Sequence, residues 1–243
     1  MTTTQDRLSP IERYTHNMSE VARQGILSPL ADCEAVIDRI FQILARNNKC
    51  NPVLLADDET RRWAVVGEVA RRMAGGNEPE MLAGRQIIVL DYEMLFADLA
   101  DDNQVREERR KQAQARWEEK LGPAPEKESD EEWLARVGEV LIWPQLDEWI
   151  APTMVLERLQ TLFIAMHKAE GRSILFVDHI HRLLGGGEGR YSVDALSLLK
   201  PVLARRQVQL IGECSIEEYR QYIERDAAMQ RRFQEVVLPI LTH

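Results

Sequence analysis

The sequence predicts an α/β domain built on a parallel sheet. Four short apolar runs have the length and composition of buried strands, with a weaker fifth at Val236–Leu238: Pro52–Leu55, Gln86–Leu90, Ser173–Val177 and Val208–Ile211. The runs are continuous rather than alternating, which indicates strands covered on both faces. The segments between them repeat apolar residues at helical spacing. Strands that alternate with helices in this way are typical of a parallel α/β sheet.

The elements follow one another in a regular order up to the middle of the chain. Apolar residues at helical spacing form one stripe before the first strand, a second between the first two strands and a third before Ser173–Val177. In that order the stripes are Ile37, Ile40, Phe41 and Leu44; Val66, Val69, Ala70 and Met73; and Leu159, Leu162, Phe163 and Met166. Ser215 and Glu218 have the spacing of a capping box at the start of a helical tail. The predicted order is helix, strand, helix, strand, interruption, helix, strand, helix, strand and helical tail.

Composition bounds the class of protein. The 243 residues, 44% of them hydrophobic, suffice for one large core. A net charge of −9 argues against a nucleic-acid partner, because the chain would repel a phosphate backbone. Only three cysteines occur, Cys33, Cys50 and Cys214, without a CxxC motif, and no apolar run is long enough to cross a membrane. We therefore expect a cytoplasmic protein without membrane association.

The interruption, 100–148, differs from the rest of the chain. More than half of residues 101–133 are charged, and Gly122–Pro125 separates two helical segments, so we predict an inserted helical hairpin. Three tryptophans in it are candidates for binding a partner, or alternatively for anchoring the hairpin to the body: Trp117, Trp133 and Trp143. The predicted division is an N-terminal linker and helix at 1–30, the α/β body at 31–99 and 149–243, and the insertion at 100–148.

Several long stretches resemble one family. These are IERYTHNMSEVARQGILSPL (11–30), NPVLL (51–55), ILFVDHIHRLLGGG (174–187), LLKPVLARRQVQLIG (198–212) and IEEYRQYIERDAAMQRRFQ (216–234). Together they are similar to the large subdomain of the first ATPase module of the Clp-type AAA+ unfoldases and disaggregases. The resemblance implies a five-stranded parallel sheet and, for the family, ATP-driven threading of proteins through a hexameric ring.

The phosphate-binding loop of that family is degenerate here. The family has GxxxxGK[ST] after its first strand, where glycines expose backbone N–H groups and the lysine and hydroxyl meet the phosphates and magnesium. Arg62 stands in place of the lysine and Trp63 in place of the hydroxyl, and side chains replace both glycines. We expect no tight nucleotide binding by the former loop, which is Ala56, Asp57, Asp58, Glu59, Thr60, Arg61, Arg62 and Trp63.

Two other catalytic positions have also changed. The family follows its strand-end aspartate, here Asp178, with a glutamate that polarises the attacking water, and this chain has His179. The residue that senses the γ-phosphate is a Thr or Asn in the family, and only Ser215 approximates it. No catalytic residue is therefore expected. A metal site from His179, His181 and Asp178, or from the acidic cluster of Asp57, Asp58, Glu59 and Asp178, lacks evident further ligands, so we also expect no metal.

Of the family's arginine finger and two pore loops, the sequence matches some and lacks others. Arg231 and Arg232 match the arginine finger, which reaches into a neighbouring subunit, and equally fit a basic helix end. Gly185–Gly189 matches the flexible second pore loop or any mobile loop. The aromatic of the first pore loop, just before a helix expected to begin near Met154, is missing from Ile150–Thr153, with Trp149 nearby.

The sequence thus predicts a catalytically inactive Clp-like AAA+ module, a pseudo-ATPase that acts as a protein-binding scaffold or regulator and needs no cofactor. Its partner would be a protein, such as a Clp-type ATPase or a client of one. The alternative is an ATPase subunit that retains ATP and magnesium, or that supplies an arginine finger to an active Clp partner. No helical lid domain is evident after the last strand, so we do not expect a stable homohexamer.

Overall fold

The computed structural model of the chain describes residues 8–27, 29–30, 33–56, 59–96, 143–186 and 193–238. The chain divides into two compact units, one formed by Met1–Leu95 with Arg158–His243 and the other by Phe96–Glu157. Trp117, Trp133 and most of the predicted insertion lie outside the described residues, as do the side chains of 143–152. The predicted domain bounds therefore stay a prediction.

The described part contains nine helices and six strands. The helices are α1 Pro10–Tyr14, α2 Met18–Arg23, α3 Glu34–Leu44, α4 Glu59–Ala74, α5 Tyr92–Phe96, α6 Trp143–Lys168, α7 Leu196–Ala204, α8 Ile216–Glu218 and α9 Ala227–Gln230. The strands are β1 Thr15–Asn17, β2 Asn51–Leu55, β3 Gln86–Leu90, β4 Ser173–Val177, β5 Gln209–Cys214 and β6 Phe233–Val237. A π-helical turn, Tyr219–Glu224, continues α8.

The strands form one mixed sheet in the order β1-β3-β4-β5-β2-β6. The five strands expected from the sequence are parallel to one another, which confirms the predicted α/β class. The prediction of five strands was nevertheless short by one, because β1 pairs antiparallel with β3, with Thr15 opposite Leu90. This three-residue edge strand reads Thr-His-Asn and has no apolar run, so periodicity could not detect it.

The predicted helical stripes form much of the core. All four stripe residues of α3, all four of α4 and all four of α6 are buried. Full burial of one such aliphatic side chain contributes about 1.5–3 kcal/mol, so the stripes hold the helices on the sheet. The predicted start of the third helix near Met154 was wrong. Helix α6 begins at Trp143 and includes Ile150–Thr153, which places the expected pore-loop stretch within a helix.

A buried acid ties the N-terminal segment to α4. The Glu68 carboxylate accepts hydrogen bonds from Arg71 at 2.7 Å, from Arg72 at 2.9 Å and from the backbone N–H of Leu30 at 3.3 Å. The hydrogen bonds from Arg71, more than any other contact, lower the pKa of Glu68 to about 2. Glu68 therefore stays ionised and joins two segments at any physiological pH.

The sheet order defines where a ligand would bind. Strand β2 lies between β5 and β6, whereas the next strand along the chain, β3, lies beyond β4. The strand order thus reverses beside β2. In open α/β sheets, ligands bind at the carboxyl ends of the strands at such a reversal, because the loops there diverge and leave a crevice. No helix in the described part of the chain is long and apolar enough to span a membrane.

Candidate functional site

Three strands deliver their following residues to the same sheet edge. Val177 of β4 pairs with Gly212 of β5, and Leu55 of β2 pairs with Cys214 of β5, so the ends of the three strands are side by side. The loop after β2, Asp178 and His179 after β4, and the last residues of β5 therefore meet. This juxtaposition brings together Arg62, Asp178 and His179, which the sequence predicted as one degenerate site.

A buried ion pair occupies the centre of this site. The Nε of Arg62, in the first turn of α4, pairs with Oε2 of Glu213 on β5. The Nη1 of Arg62 donates to the carbonyl oxygen of Ala56, just after β2. The two side chains are only 5% and 0% exposed, respectively. Because an unpaired charge at this depth would be strongly destabilising, each residue requires the other.

His179 contacts the other oxygen of the Glu213 carboxylate, Oε1. Its backbone N–H donates to Oε1 of Glu213 at 2.8 Å, and its Nδ1 lies 3.2 Å from that oxygen and 2.8 Å from Oδ1 of Asp178. The backbone of His179 is left-handed, with φ of 46°, a conformation that residues other than glycine rarely adopt. The strained turn directs both groups of His179 toward Glu213.

Trp63, at the position where the sequence resemblance implies a magnesium-binding hydroxyl, contributes apolar surface. Its ring meets Phe176 of β4 edge to face, with centroids 5.0 Å apart, and it packs against the hydrophobic core. Phe176 is fully buried. Such a contact is worth about 0.5–1.5 kcal/mol beyond the buried area, so the indole serves packing. An indole offers no oxygen ligand to a metal ion.

Ser215 is committed to capping the helix that follows. Its Oγ accepts from the backbone N–H of Glu218 at 3.2 Å, and the Glu218 carboxylate accepts from the Ser215 N–H at 2.7 Å. This confirms the capping box that the sequence predicts. Next to it, Cys214 is fully buried, and burial raises the pKa of its thiol to about 12. Cys214 therefore stays protonated and is not a nucleophile.

Potential metal ligands converge differently from the two sequence alternatives. Among the residues that the structure describes, Asp178, His179 and Glu213 offer ligand atoms within 4.8 Å of one another. His181 does not join them; its buried ring lies 5.7 Å from that of His179, and its Nδ1 is 3.4 Å from Glu218. Burial lowers the pKa of His181. Because Arg62 already neutralises Glu213, the three donors do not fit a divalent ion well.

The rest of the predicted degenerate loop, 56–63, is only partly described. Asp57 and Asp58 lie outside the described residues, as do the side chains of Glu59 and Thr60, so the alternative acidic pocket falls outside them too. Ala56 and Arg61 are half-buried. Arg62, in the first turn of α4, points inward.

Arg231 and Arg232 lie away from the site. They follow α9 and precede Phe233, which pairs with Asn51 at the amino end of β2, and the Asn51 side chain donates to the Arg232 carbonyl at 3.0 Å. The five residues of β2 span about 16 Å, which separates these arginines from the carboxyl edge. Arg231 is exposed and Arg232 is half-buried. The two guanidiniums are therefore not part of the Arg62 site.

The glycine-rich segment after β4 is packed at its start. Gly186 donates to the carbonyl of His181 at 2.8 Å, and a Cβ added at Gly186 would lie 2.5 Å from the Tyr222 ring. A side chain at this position would therefore have to displace the Tyr222 ring. Gly187 and the residues that follow it to 192 lie outside the described residues, so the predicted pore loop is described only at Gly185 and Gly186.

Sequence reasoning missed Glu213, the residue on which the site depends. A signal was present, because Glu213 interrupts a strand that is otherwise apolar, and a charge inside a buried strand requires a partner. The strand was predicted to end at Ile211, which placed Glu213 in a loop. The observed strand continues to Cys214 and buries it.

Comparisons with known proteins agree with this architecture. No family model matches the chain. The chain is 32% identical over 230 residues to the chaperone protein ClpB of Bacteroides thetaiotaomicron, which covers 95% of this chain and 21% of that protein. It is 30% identical over 233 residues to the chloroplastic chaperone ClpC2 of Arabidopsis thaliana, covering 96% and 19%. The chain therefore spans about a fifth of the length of these curated relatives.

Solved structures of Hsp104 are similar as well. An Hsp104 complex with ATPγS and FITC casein gives a TM-score of 0.67 at 25% identity, covering 96% of this chain and 32% of that one. The Saccharomyces cerevisiae Hsp104 complex with ADP gives 0.64 at 25% identity, covering 96% and 25%. These matches confirm the resemblance to Clp-type AAA+ proteins that the motifs predict.

Proposed function

We propose that the chain is a catalytically inactive Clp-like AAA+ module, a pseudo-ATPase that serves as a protein-binding scaffold or regulator. The observation that carries this proposal is the ion pair between Arg62 and Glu213. Arg62 stands where the family has its phosphate-binding lysine, and its charge is already neutralised inside the protein. A nucleotide phosphate would have to displace a buried carboxylate to reach it.

The residues at the predicted magnesium-binding and water-polarising positions support the same proposal. The indole of Trp63 packs on Phe176 in place of a metal-binding hydroxyl. At the water-polarising position, His179 contacts Asp178 and Glu213. Binding and hydrolysis would thus be lost at three separate positions. Catalytic groups that act as a unit fail together, so no single position would restore turnover.

A thermal-shift experiment tests the loss of binding. A ligand present at 100 times its dissociation constant stabilises the folded state by about 2.7 kcal/mol, which shifts the midpoint of a domain of this size by several degrees. We expect millimolar ATP or ADP, with or without magnesium, to leave the midpoint unchanged. A nucleotide-dependent rise would contradict the proposal and favour a nucleotide-binding subunit.

The scaffold role is supported by the relatives and by the composition of the insertion. Solved structures show Hsp104 with casein, a protein, so we propose a protein partner here, namely a Clp-type ATPase or its client in the cytoplasm. Trp117, Trp133 and Trp143 would supply its hot spots, since tryptophan is enriched in such positions. Alanine at these three positions should abolish binding to a purified Clp-type ATPase or its client. Trp149→Ala is the matched control and should bind normally; equal loss in both variants would contradict the assignment.

A second function is favoured by one observation. Arg231 is exposed, and no ion pair to its guanidinium occurs among the described residues. It could therefore reach an anionic group on a neighbouring subunit, as an arginine finger does. In this alternative, adding the chain to a Clp-type ATPase would raise ATP turnover, and Arg231→Ala with Arg232→Ala would abolish the increase. Arg225→Ala, an exposed arginine in the preceding turn, is the control.

A further inference from the structure

We propose that Glu213 acts as a built-in anion, and that its carboxylate occupies a latent site for a small oxyanion of the phosphate class. The inference rests on the proposed function, because it assumes that the site takes no nucleotide in the intact protein. It goes further by proposing that the Glu213 carboxylate stands in for a bound anion. In this view the wild-type chain is inhibited from binding anions by one of its own side chains.

Donors surround the Glu213 carboxylate on two sides. Arg62 contacts Oε2, and the backbone N–H of His179 donates to Oε1 at 2.8 Å. The His179 Nδ1 is 3.2 Å from the same oxygen. A guanidinium and a backbone N–H that converge on one oxyanion make up the kind of donor set that also binds phosphate. The donors come from two separate chain segments, the first turn of α4 and the turn after β4, and Glu213 belongs to neither.

Glu213 supplies the counter-charge that the buried Arg62 guanidinium needs. Arg62 is 5% exposed, so it needs an anion whether or not Glu213 supplies one. Among the described residues, its guanidinium also donates to the carbonyl of Ala56, which is neutral. Loss of the Glu213 carboxylate would therefore leave a buried cation without its counter-charge. A free anion of similar chemistry is the simplest replacement.

The neighbouring groups limit which anion could enter. Asp178 and His179 are each 20% exposed, so the site can be reached from their side. The Asp178 carboxylate repels highly charged ligands at this entrance. The position of the lost glycines also carries side chains, which prevents the close approach that a triphosphate needs. The latent site therefore suits inorganic phosphate rather than ATP.

The test uses the full chain with Glu213→Ala and inorganic phosphate as the probe. Phosphate at tens of millimolar, compared with sodium chloride at equal ionic strength, should raise the thermal midpoint of this variant by several degrees. The wild type and the double variant Arg62→Met with Glu213→Ala should show only the small, equal rise that phosphate gives a folded protein as an excluded salt. The double variant is the matched control, because it lacks both the carboxylate and the cation while methionine keeps an unbranched apolar stem at position 62.

The experiment stays decisive if Glu213→Ala folds poorly. Phosphate should then restore cooperative unfolding to the variant, and Glu213→Ser, which keeps a small polar side chain, provides a second background for the same comparison. No phosphate-specific effect in either variant, or an equal effect in the double variant, would overturn the proposal. Stabilisation by formate but not by phosphate would also overturn it, because the site would then accept only a carboxylate. Nucleotide binding by the wild type would instead contradict the proposed function, so the two failures are distinguishable.

Discussion

The guanidinium of Arg62 and the carboxylate of Glu213 neutralise each other at the carboxyl edge of the sheet, where their side chains are 5% and 0% exposed. Arg62 lies in the first turn of α4, the helix that follows β2, and Glu213 lies on β5, so the pair links two elements at this edge of the sheet. The contacts of Glu213 with His179 extend this link to the end of β4. The centre of the predicted degenerate nucleotide site is thus part of the protein interior.

The first prediction concerns the energy of this pair. Arg62→Met and Glu213→Gln each leave one partner buried without its counterpart and should lower the free energy of unfolding by about 3–5 kcal/mol. The double variant should lose less than the sum by at least about 2 kcal/mol, as urea unfolding measures in a double-mutant cycle. Lys200→Met with Asp226→Asn, at the more exposed pair separated by 2.5 Å, is the control and should give a coupling below about 1 kcal/mol. Additive losses at Arg62 and Glu213 would show that the pair does not act as one.

The second prediction separates packing from chemistry at Trp63. Trp63→Thr restores the hydroxyl of the family motif but removes the contact with Phe176, so it should destabilise the domain by about 2 kcal/mol or more in urea unfolding. Trp63→Phe keeps an aromatic ring and should lose less than half as much. Equal stability of the threonine variant and the wild type would mean that the indole does not contribute to the core.

The third prediction is that the phosphate-binding loop cannot be rebuilt alone. A GxxxxGKT sequence grafted at 56–63 leaves Glu213 in place, and its carboxylate would pair with the new lysine as it does with Arg62. We expect nucleotide binding only after Glu213→Ala is added, and ATP hydrolysis only after His179→Glu is added as well. Phosphate release measures turnover for each step. Hydrolysis by the loop graft alone would show that the roles of His179 and Glu213 are wrongly assigned.

The fourth prediction is a loss of stability in acid. The pKa of Glu68 is lowered to about 2 in the folded state, so its contribution is complete above the ordinary carboxyl pKa and disappears as the pH falls toward 2. Between about pH 6 and pH 3 the wild type should lose stability, by at most about 3 kcal/mol from this group. Glu68→Gln should be less stable at about pH 6 and should show a smaller loss on acidification. An unchanged pH dependence in this variant would exclude Glu68 as a main source of the acid sensitivity.

Much of the fold could be predicted from the sequence because apolar periodicity reports burial directly. The strands Gln86–Leu90 and Ser173–Val177 have the predicted bounds, and the helical stripes are buried as expected. Strand β1 was missed because Thr15–Asn17 is short and polar and is held by pairing with β3, a contact distant in sequence. The start of α6 was misplaced because it followed the resemblance, which places a pore loop at Ile150–Thr153, whereas the helix here includes that stretch.

The site was predicted in part. Arg62, Asp178 and His179 were recognised as changed positions of one family motif set, and the structure brings them together. The pairing of Arg62 with Glu213 could not be read from either residue alone, because the two lie far apart in sequence and meet only through the β2–β5 pairing. The binding roles of Trp117, Trp133 and Trp143 and of Arg231 and Arg232 stay predictions.

The most direct test of the pseudo-ATPase proposal is a titration of the purified wild-type chain with fluorescent ATP and ADP analogues, with and without magnesium. The ion pair of Arg62 with Glu213 and the indole of Trp63 predict no saturable binding up to about 1 mM nucleotide, equivalent to an affinity weaker than about −4 kcal/mol. A Clp-type ATPase measured alongside should saturate and so validates the analogues. Saturable binding to the wild-type chain at micromolar nucleotide, competed by unlabelled ATP, would contradict the proposal.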